Sequence, residues 1–274
     1  MPMKRVVAVL FAALAVAACS SNEEVATPVE PLKQLNNIVG KVNSVLISRL
    51  HVGGSDGAGF RYDCFPHGCG GTGQGFLFAP AEISRWLFED GVAQERTIEG
   101  LELVESNPGD GDWRAYGAWM DHSAAFLSRY GAGGGSTGFF IASAFGSRSE
   151  EPLPVEGSVT WRGAMVGVDV VTADRYAGSA NLVATFGEGQ RMDVSFTDIA
   201  NVETGASRED ILFSDLANVG LYDGGQFFGH SGHDDFDRAP IYLDGSFFGP
   251  NHAEAAGVFG YNELIGAFGA RMRE

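Results

Sequence analysis

The segment HSGHDDFD holds the densest group of side chains that could do chemistry in this sequence. Imidazole combined with carboxylate is a ligand set that suits zinc or iron. The candidate ligands are His230, His233, Asp234, Asp235 and Asp237. An acidic chain also places such residues on solvated loops between strands. We therefore expect a solvated loop with no bound cofactor, and keep a metal or haem site as the alternative.

Two other stretches lack the context that their apparent motifs require. Gly229 to His233 reads G-H-S-G-H, which misses the last residue of G-x-S-x-G, and no strand-to-helix switch surrounds it. Gly68, Gly70 and Gly73 match G-x-G-x-x-G, but the match opens into GFLFAP instead of a helix. No βαβ unit with its acidic residue follows either. The sequence therefore predicts no enzyme.

The N-terminus has the chemistry of lipid attachment. Lys4 and Arg5 precede an apolar run from Val6 to Cys19 that is too short to span a bilayer comfortably. The last four residues of the run, V-A-A-C, resemble the lipobox of bacterial lipoproteins. This resemblance implies a signal peptide over 1–18 and a diacylated, N-acylated Cys19. No aspartate follows the cysteine, so we expect the outer membrane and leave open whether the protein faces the periplasm or the cell surface.

The other two cysteines lie close together in CFPHGC. In a compartment that oxidises thiols, Cys64 and Cys69 are expected to form a disulfide that closes a tight loop. A zinc site would need two further ligands at a suitable spacing. We expect His67, inside the loop, to be a solvated turn residue.

Composition excludes several classes of partner. The chain has 274 residues with 35 acidic and 18 basic side chains, and its net charge is −17. Loss of the signal peptide would remove two of the basic residues. Such a surface repels phosphates and anionic lipids, which disfavours nucleic acid and attachment through a basic patch. A cationic or iron-bearing partner stays compatible with this charge.

Local patterns predict a mainly β protein with one or two short helices near its start. Residues 19–31 are polar and acidic, as in a flexible tether. Apolar residues recur at helical spacing from Leu32 to Leu50, and a second short helix is predicted over 80–91. The 39 glycines are too many for a helical bundle.

Period-two alternation dominates the rest of the chain. In the segment 191–197, Met192, Val194 and Phe196 face one side and polar residues face the other. The stretch SRSEEPLPVEG at 147–157 is the best boundary, which predicts domains at 32–150 and 151–274. The predicted strands cover 113–119, 139–145, 158–168, 178–186, 191–197, 241–248, 255–261 and 264–272.

Several segments, read in order, resemble the C-terminal β-barrel of the transferrin-binding protein B family. The most specific is Gly245-x-Phe247-x-Gly249-Pro250, followed by Glu254 and a G-x-F pair. YGAWMDHSAAF at 116–126 resembles a segment found before the barrel in small members. The other segments are GSVTWRGAMVG, AGSANLVATF, MDVSFTDI and LIGAFGARM.

The resemblance implies a β-rich handle region with one or two short helices, followed by an eight-stranded antiparallel barrel. It also implies a lipid-anchored surface protein that binds host proteins or haem carriers without catalysis. The chain is far too short for the two lobes of a transferrin receptor, so transferrin itself is not inferred. His122 and His252, each near a carboxylate, are expected to make turn or handle-to-barrel hydrogen bonds.

Overall fold

The computed structural model describes residues 45–52, 60–65, 93–106, 113–130, 139–169, 171–213, 219–222, 224–231 and 241–273. The helix predicted over 80–91 lies outside these residues. So do Cys19, Cys69, His233, Asp234, Asp235 and Asp237. Within the described ranges, no helix is both long enough and apolar enough to cross a membrane.

The first half of the chain forms one antiparallel sheet of seven strands, which we call the handle. Its spatial order is β2-β1-β7-β6-β5-β4-β3. The strands are β1 Val45–Val52, β2 Phe60–Phe65, β3 Ala93–Ile98, β4 Leu101–Ser106, β5 Ala115–Trp119, β6 Ser123–Tyr130 and β7 Phe139–Ser147.

The helix predicted from Leu32 to Leu50 is wrong over its last six residues, which belong to β1. Strand β1 pairs with β7 from Val45↔Ser147 to Val52↔Phe140, and with β2 on its other edge. Ladder hydrogen bonds on both edges outweigh a weak helical spacing, and the β-branched Val45, Ile47 and Val52 suit a strand.

The second half of the chain forms the eight-stranded antiparallel barrel that the sequence predicted. Strands β10-β12-β13-β14-β15-β16-β8-β9 are neighbours in that order, and pairing of β9 with β10 closes the cylinder. The short strand β11, Ile211–Leu212, pairs with β10 beside β12. The barrel strands are β8 Gly157–Asp169, β9 Arg175–Phe186, β10 Arg191–Asn201, β12 Gly220–Tyr222, β13 Gln226–His230, β14 Ile241–Phe248, β15 Glu254–Tyr261 and β16 Leu264–Arg273.

The barrel interior is filled by phenylalanine rings that lie against glycines on neighbouring strands. A Cβ atom at Gly245 would collide with the ring of Phe227, and one at Gly266 would collide with the ring of Phe259. Seven large aromatic side chains are fully buried in this core: Trp161, Phe196, Phe213, Phe227, Phe247, Phe259 and Phe268. The G-x-F pattern of the sequence is therefore a packing device, in which glycine provides the space that a facing ring occupies.

The handle packs face to face on the outside of the barrel. Alanines dominate both sides of the contact, with Ala118, Ala125 and Ala142 from the handle and Ala256 and Ala267 from the barrel. Small side chains let the two sheets approach closely, and larger residues such as Tyr116, Leu127, Val166 and Ile265 complete the core. This interface places polar groups of the handle next to the first residue of β15.

Candidate functional site

The carboxylate of Glu254 joins the handle to the barrel. Glu254 begins β15, and its side chain reaches the turn between β5 and β6. Its Oε1 accepts from the Asp121 amide at 2.7 Å, and its Oε2 accepts from the Ser123 hydroxyl at 2.7 Å. The His122 amide donates to both oxygens, at 3.2 and 3.1 Å. We call these four residues the Glu254 clasp.

The clasp is shaped by a left-handed glycine on the barrel. Gly249 has φ 72°, and a Cβ atom there would collide with the imidazole of His122. The Gly249 amide donates to the Ser147 carbonyl at 2.9 Å, which extends the end of β7 onto the end of β14. The Gly-Pro turn of the sequence motif is thus the surface that receives the handle turn.

Burial raises the pKa of the Glu254 carboxyl, whereas the hydrogen bonds from Ser123, His122 and Asp121 act in the opposite direction. The guanidinium of Arg271, directly opposite Glu254 in the β15–β16 register, instead approaches Asp121, with 3.7 Å between Nη2 and Oδ1. The charge of Glu254 is therefore balanced mainly by hydrogen-bond donors of the handle.

A second cluster holds the connection between the two sheets. The Trp161 indole donates to the His252 carbonyl at 2.7 Å. The Trp161 indole and the His252 imidazole each stack on the ring of Phe247. Ser149 Oγ lies 2.9 Å from His252 Nδ1 and donates to Glu151 at 2.8 Å. The connecting segment is thereby tied to the barrel on which the handle sits.

Ser149, His252 and Glu151 have the residue types of a hydrolase triad but a different order of contacts. The serine proton goes directly to Glu151, so the Nδ1–H of His252 must donate to Ser149. The remaining Nε2 is buried and has no hydrogen-bond partner within the described part of the chain. Burial lowers the pKa of His252. The carboxylate therefore holds the hydroxyl in place and does not orient the imidazole as a base.

A buried arginine joins the two sheets at another point. Arg175, at the start of β9, contacts Glu105 of the handle at 2.6 Å and Glu203 of the barrel at 2.7 Å. Its guanidinium lies 5.5 Å from the centre of the Trp113 ring and 5.1 Å from that of Tyr116. This cation–π and ion-pair cluster, the Arg175 cluster, adds a second polar attachment.

The structure locates only part of the predicted site. His230 ends β13 and is exposed, with its ring 5.3 Å from that of Phe228. The other four candidate metal ligands lie outside the described residues, and the described ones contain no group of three potential ligands. Cys64 lies in β2 and Cys69 is not described, so the disulfide stays a prediction.

His122 and His252 make the handle-to-barrel and turn contacts that the sequence predicted for them, through the His122 amide and the His252 ring and carbonyl. The sequence reasoning missed the Arg175 cluster. Glu105 and Arg175 lie 70 positions apart in the chain, so no local motif marks their pairing. The quoted family segment did include Glu254, but its three donors belong to the handle and could not be identified from spacing.

No protein-family model matches the chain, and neither does any curated protein. Solved structures do match. One is described as a surface lipoprotein and is 12% identical, with a TM-score of 0.45, over 84% of this chain and 99% of that one. A transferrin binding protein B mutant from Actinobacillus pleuropneumoniae H49 is 11% identical, with a TM-score of 0.45 and the same coverage.

The isotype 1 transferrin binding protein B from serogroup B Neisseria meningitidis also matches. It is 13% identical with a TM-score of 0.41, over 83% of this chain and 44% of that one. Two of these three structures carry the name of the group that the sequence resembles. At such identities the similarity concerns the fold alone, and the fold itself rests on the strand pairings described above.

Proposed function

We propose that this protein is a non-catalytic binding protein that a lipid on Cys19 holds in the outer membrane. Its proposed partner is a protein that carries iron or haem. The filled barrel interior is the observation that favours a protein partner over an enclosed small ligand, whereas the anchor rests on the V-A-A-C segment and the carrier on the family resemblance. Rings packed against glycines occupy the space in which a small ligand would be enclosed, so recognition falls to the outer face and the loops.

The polar clusters support the non-catalytic part of the proposal. The contacts of three polar side chains join parts of the structure to each other. Glu254 and Arg175 join the handle to the barrel, and Ser149 joins the connecting segment to the barrel. A general base or nucleophile needs a free face towards substrate, together with a partner that activates it. These groups instead hold the handle, the connecting segment and the barrel together.

Lipid attachment is tested by growing cells with an alkynyl fatty acid and following the label on the protein. We expect the wild type to be labelled and to fractionate with membranes, and Cys19→Ser to lose both properties. Cys64→Ser is the matched control and should keep the label. An unlabelled wild type, or a labelled Cys19→Ser variant, would contradict the anchor.

Partner binding is tested with the purified mature chain on a sensor surface. The analytes are haemin alone, haemoglobin and iron-loaded transferrin. We expect a protein carrier to be retained and haemin alone to pass, because buried aromatic rings fill the described part of the barrel interior, where a free porphyrin would otherwise be enclosed. If no carrier protein binds at micromolar concentration, this part of the proposal fails.

The alternative, metal or haem binding by the loop from His230 to Asp237, is tested by calorimetric titration with Zn²⁺ and haemin. We expect only weak, non-stoichiometric binding, because three ligands from so short a segment need a preformed turn with oriented imidazoles. A stoichiometric micromolar site that disappears when His230 and His233 are both changed to alanine would favour the alternative.

A further inference from the structure

The handle has a second buried face, on the side of the sheet away from the barrel. Side chains alternate along its strands, and those that point to the barrel include Ala118, Ala125 and Ala142. The residues between them point the other way, and we call their side the outer handle face. Its main residues, none more than 8% exposed, are Trp119, Phe126, Ser128, Ile141, Ser143 and Phe145.

The outer handle face carries a group of aromatic rings. The centre of the Trp119 ring lies 4.7 Å from that of Phe126 and 5.6 Å from that of Phe145. These rings belong neither to the core between handle and barrel nor to the barrel interior. The described residues before Arg148 all lie in the handle strands or in the turns beside them, and the barrel packs on the opposite face. The layer that buries the outer handle face is therefore formed by residues outside the described ranges.

The connection from β2 to β3 has to cross the whole handle sheet. These two strands are the edges of the sheet, with five strands between them. The antiparallel pairings across the sheet make β2 and β3 run in the same direction. Strands that run in the same direction are joined by a crossover over one face of the sheet, usually through a helix. Because the barrel occupies one face, the outer handle face is the open route.

The connecting residues 66–92 are long enough for this route. Six strand spacings amount to about 29 Å. The connection has 27 residues, and the helix predicted over 80–91 would span about 18 Å of the distance. The other residues could add up to about 50 Å when extended.

The composition of 66–92 is that of a covering layer. It contains F-L-F at 76–78, and the predicted helix has Ile83, Trp86 and Leu87 on one face. The other connections of the handle that lie outside the described ranges contain no large apolar side chain; they are 53–59, 107–112 and 131–138. Among the connections within the handle, only 66–92 can bury three aromatic rings.

We infer that residues 66–92 cross the outer handle face and bury it, with the apolar side of the helix over 80–91 on the rings of Trp119, Phe126 and Phe145. Both faces of the handle are then occupied within the chain. Its buried rings are consequently not a surface for a partner protein, which is left with the loops and the exposed face of the barrel. The inference concerns the chain itself and does not depend on the proposed partner.

The test measures how fast a cysteine at position 143 reacts with N-ethylmaleimide in the purified, folded mature chain. The adduct is quantified by mass spectrometry on the peptide that contains this position, so the native cysteines do not interfere. We expect Ser143→Cys to react at least about a hundredfold more slowly in buffer than in urea. Changing Ile83, Trp86 and Leu87 together to serine should speed the reaction in buffer at least about tenfold, because the covering side chains are lost.

Ala142→Cys is the matched reporter, since Ala142 is next to Ser143 in β7 but faces the barrel. Its reaction rate should change by less than about twofold when the three apolar residues are replaced. Replacing the polar residues Glu82, Arg85 and Glu89 with serine is the matched control and should leave both reporters within about twofold. Free reaction at position 143 in the folded parent chain would overturn the inference, and so would unchanged protection after the apolar replacement.

Two other occupants of the outer handle face have their own signatures. If residues 20–44 cover it, their deletion exposes position 143 and the apolar replacement does not. If a second copy of the chain covers it, the reaction at position 143 becomes faster on dilution. Either result would overturn the inference.

A cross-link decides the case in which the apolar replacement unfolds the chain and exposes both reporters. p-Benzoylphenylalanine is similar in size to tryptophan and is introduced at Trp86. Irradiation should join it to peptides that contain Trp119, Phe126 or Phe145. Adducts in the barrel, or none, would contradict the inferred route. Retention of a carrier protein on the sensor surface is a separate measurement, so the proposed function and this inference can fail independently.

Discussion

Replacing Glu254 with alanine should loosen the handle from the barrel, because three donors lose their acceptor at once. The Ser123 hydroxyl is buried, and leaving it unsatisfied costs about 1–3 kcal/mol. The amides of Asp121 and His122 are partly buried, and each adds roughly 0.5–1 kcal/mol. Removing a buried carboxylate offsets part of this cost, so the expected net loss is about 2–4 kcal/mol.

The assay is urea unfolding followed by circular dichroism, together with hydrogen exchange of the His122 amide. Glu254→Ala should lower the free energy of unfolding by the amount above and should speed exchange at His122. Glu254→Gln should lose about 1–2 kcal/mol, because its carbonyl still accepts from an amide while its NH₂ group faces the Ser123 donor. Glu263→Ala, in the exposed turn between β15 and β16, is the matched control and should change stability by less than about 0.5 kcal/mol.

The shifted pKa of Glu254 also predicts the direction in which the stability of the folded protein changes with pH. Because burial raises the folded-state pKa of Glu254 above its unfolded value, protonation of this carboxyl favours the folded state. Its stabilising effect is complete below the unfolded pKa and is lost as pH rises through the folded one. The wild type should therefore gain stability relative to Glu254→Gln, which does not titrate, as pH falls from 7 towards 4.5.

Two results would refute this reasoning. A loss in Glu254→Ala no larger than that of the Glu263→Ala control would mean that the clasp does not hold the handle. An opposite trend with pH would mean that the three hydrogen bonds outweigh burial in setting the pKa of Glu254.

Three further predictions follow from the same interface and core. Arg175→Ala should cost about 3–5 kcal/mol in urea unfolding, because Glu105 stays buried without this guanidinium, whereas Arg191→Ala should cost less than about 1 kcal/mol. Gly266→Ala should cost about 1–3 kcal/mol and lower the melting temperature, because its Cβ collides with a packed ring. Because burial lowers the pKa of His252, the stability that its neutral form provides should be present above the unfolded pKa and be lost as pH falls through the folded one; His252→Gln should reduce this acid sensitivity.

Alternation along the chain predicted the longer barrel strands well. Residues 241–248 were predicted as a strand with the same bounds as β14, and the inward set of Met192, Val194 and Phe196 in β10 is the buried set. Alternation works here because one face of each strand is buried and the other is largely polar. The predicted strand at 158–168 is one residue shorter than β8 at each end. The predicted strand at 264–272 is one residue shorter than β16 at its C-terminal end.

The same signal located β5 and β7 of the handle, at 113–119 and 139–145, but missed the other handle strands and the short strands of the barrel. Strand β4 is buried at Leu103, Val104 and Glu105 in succession, so it shows no alternation. Strands β11 and β12 have only two and three residues, too few for any period to appear. The Glu254 clasp and the Arg175 cluster depend on contacts between residues that lie far apart in the chain. The spacing of residues in the sequence does not reveal such contacts.

The handle docks on strands that come last in the chain, and this order has a consequence for biogenesis. A polypeptide that emerges from its N-terminus completes β4 to β7 before β15 and β16 exist. The apolar handle face, with Leu103, Tyr116 and Leu127, is then only partly covered, because β15 and β16 complete a surface that Val166 of β8 begins. Folding must therefore either be fast relative to aggregation or be assisted by a chaperone that shields this face. Truncation of the last strand would open the barrel and remove part of the surface on which the handle docks in a single step.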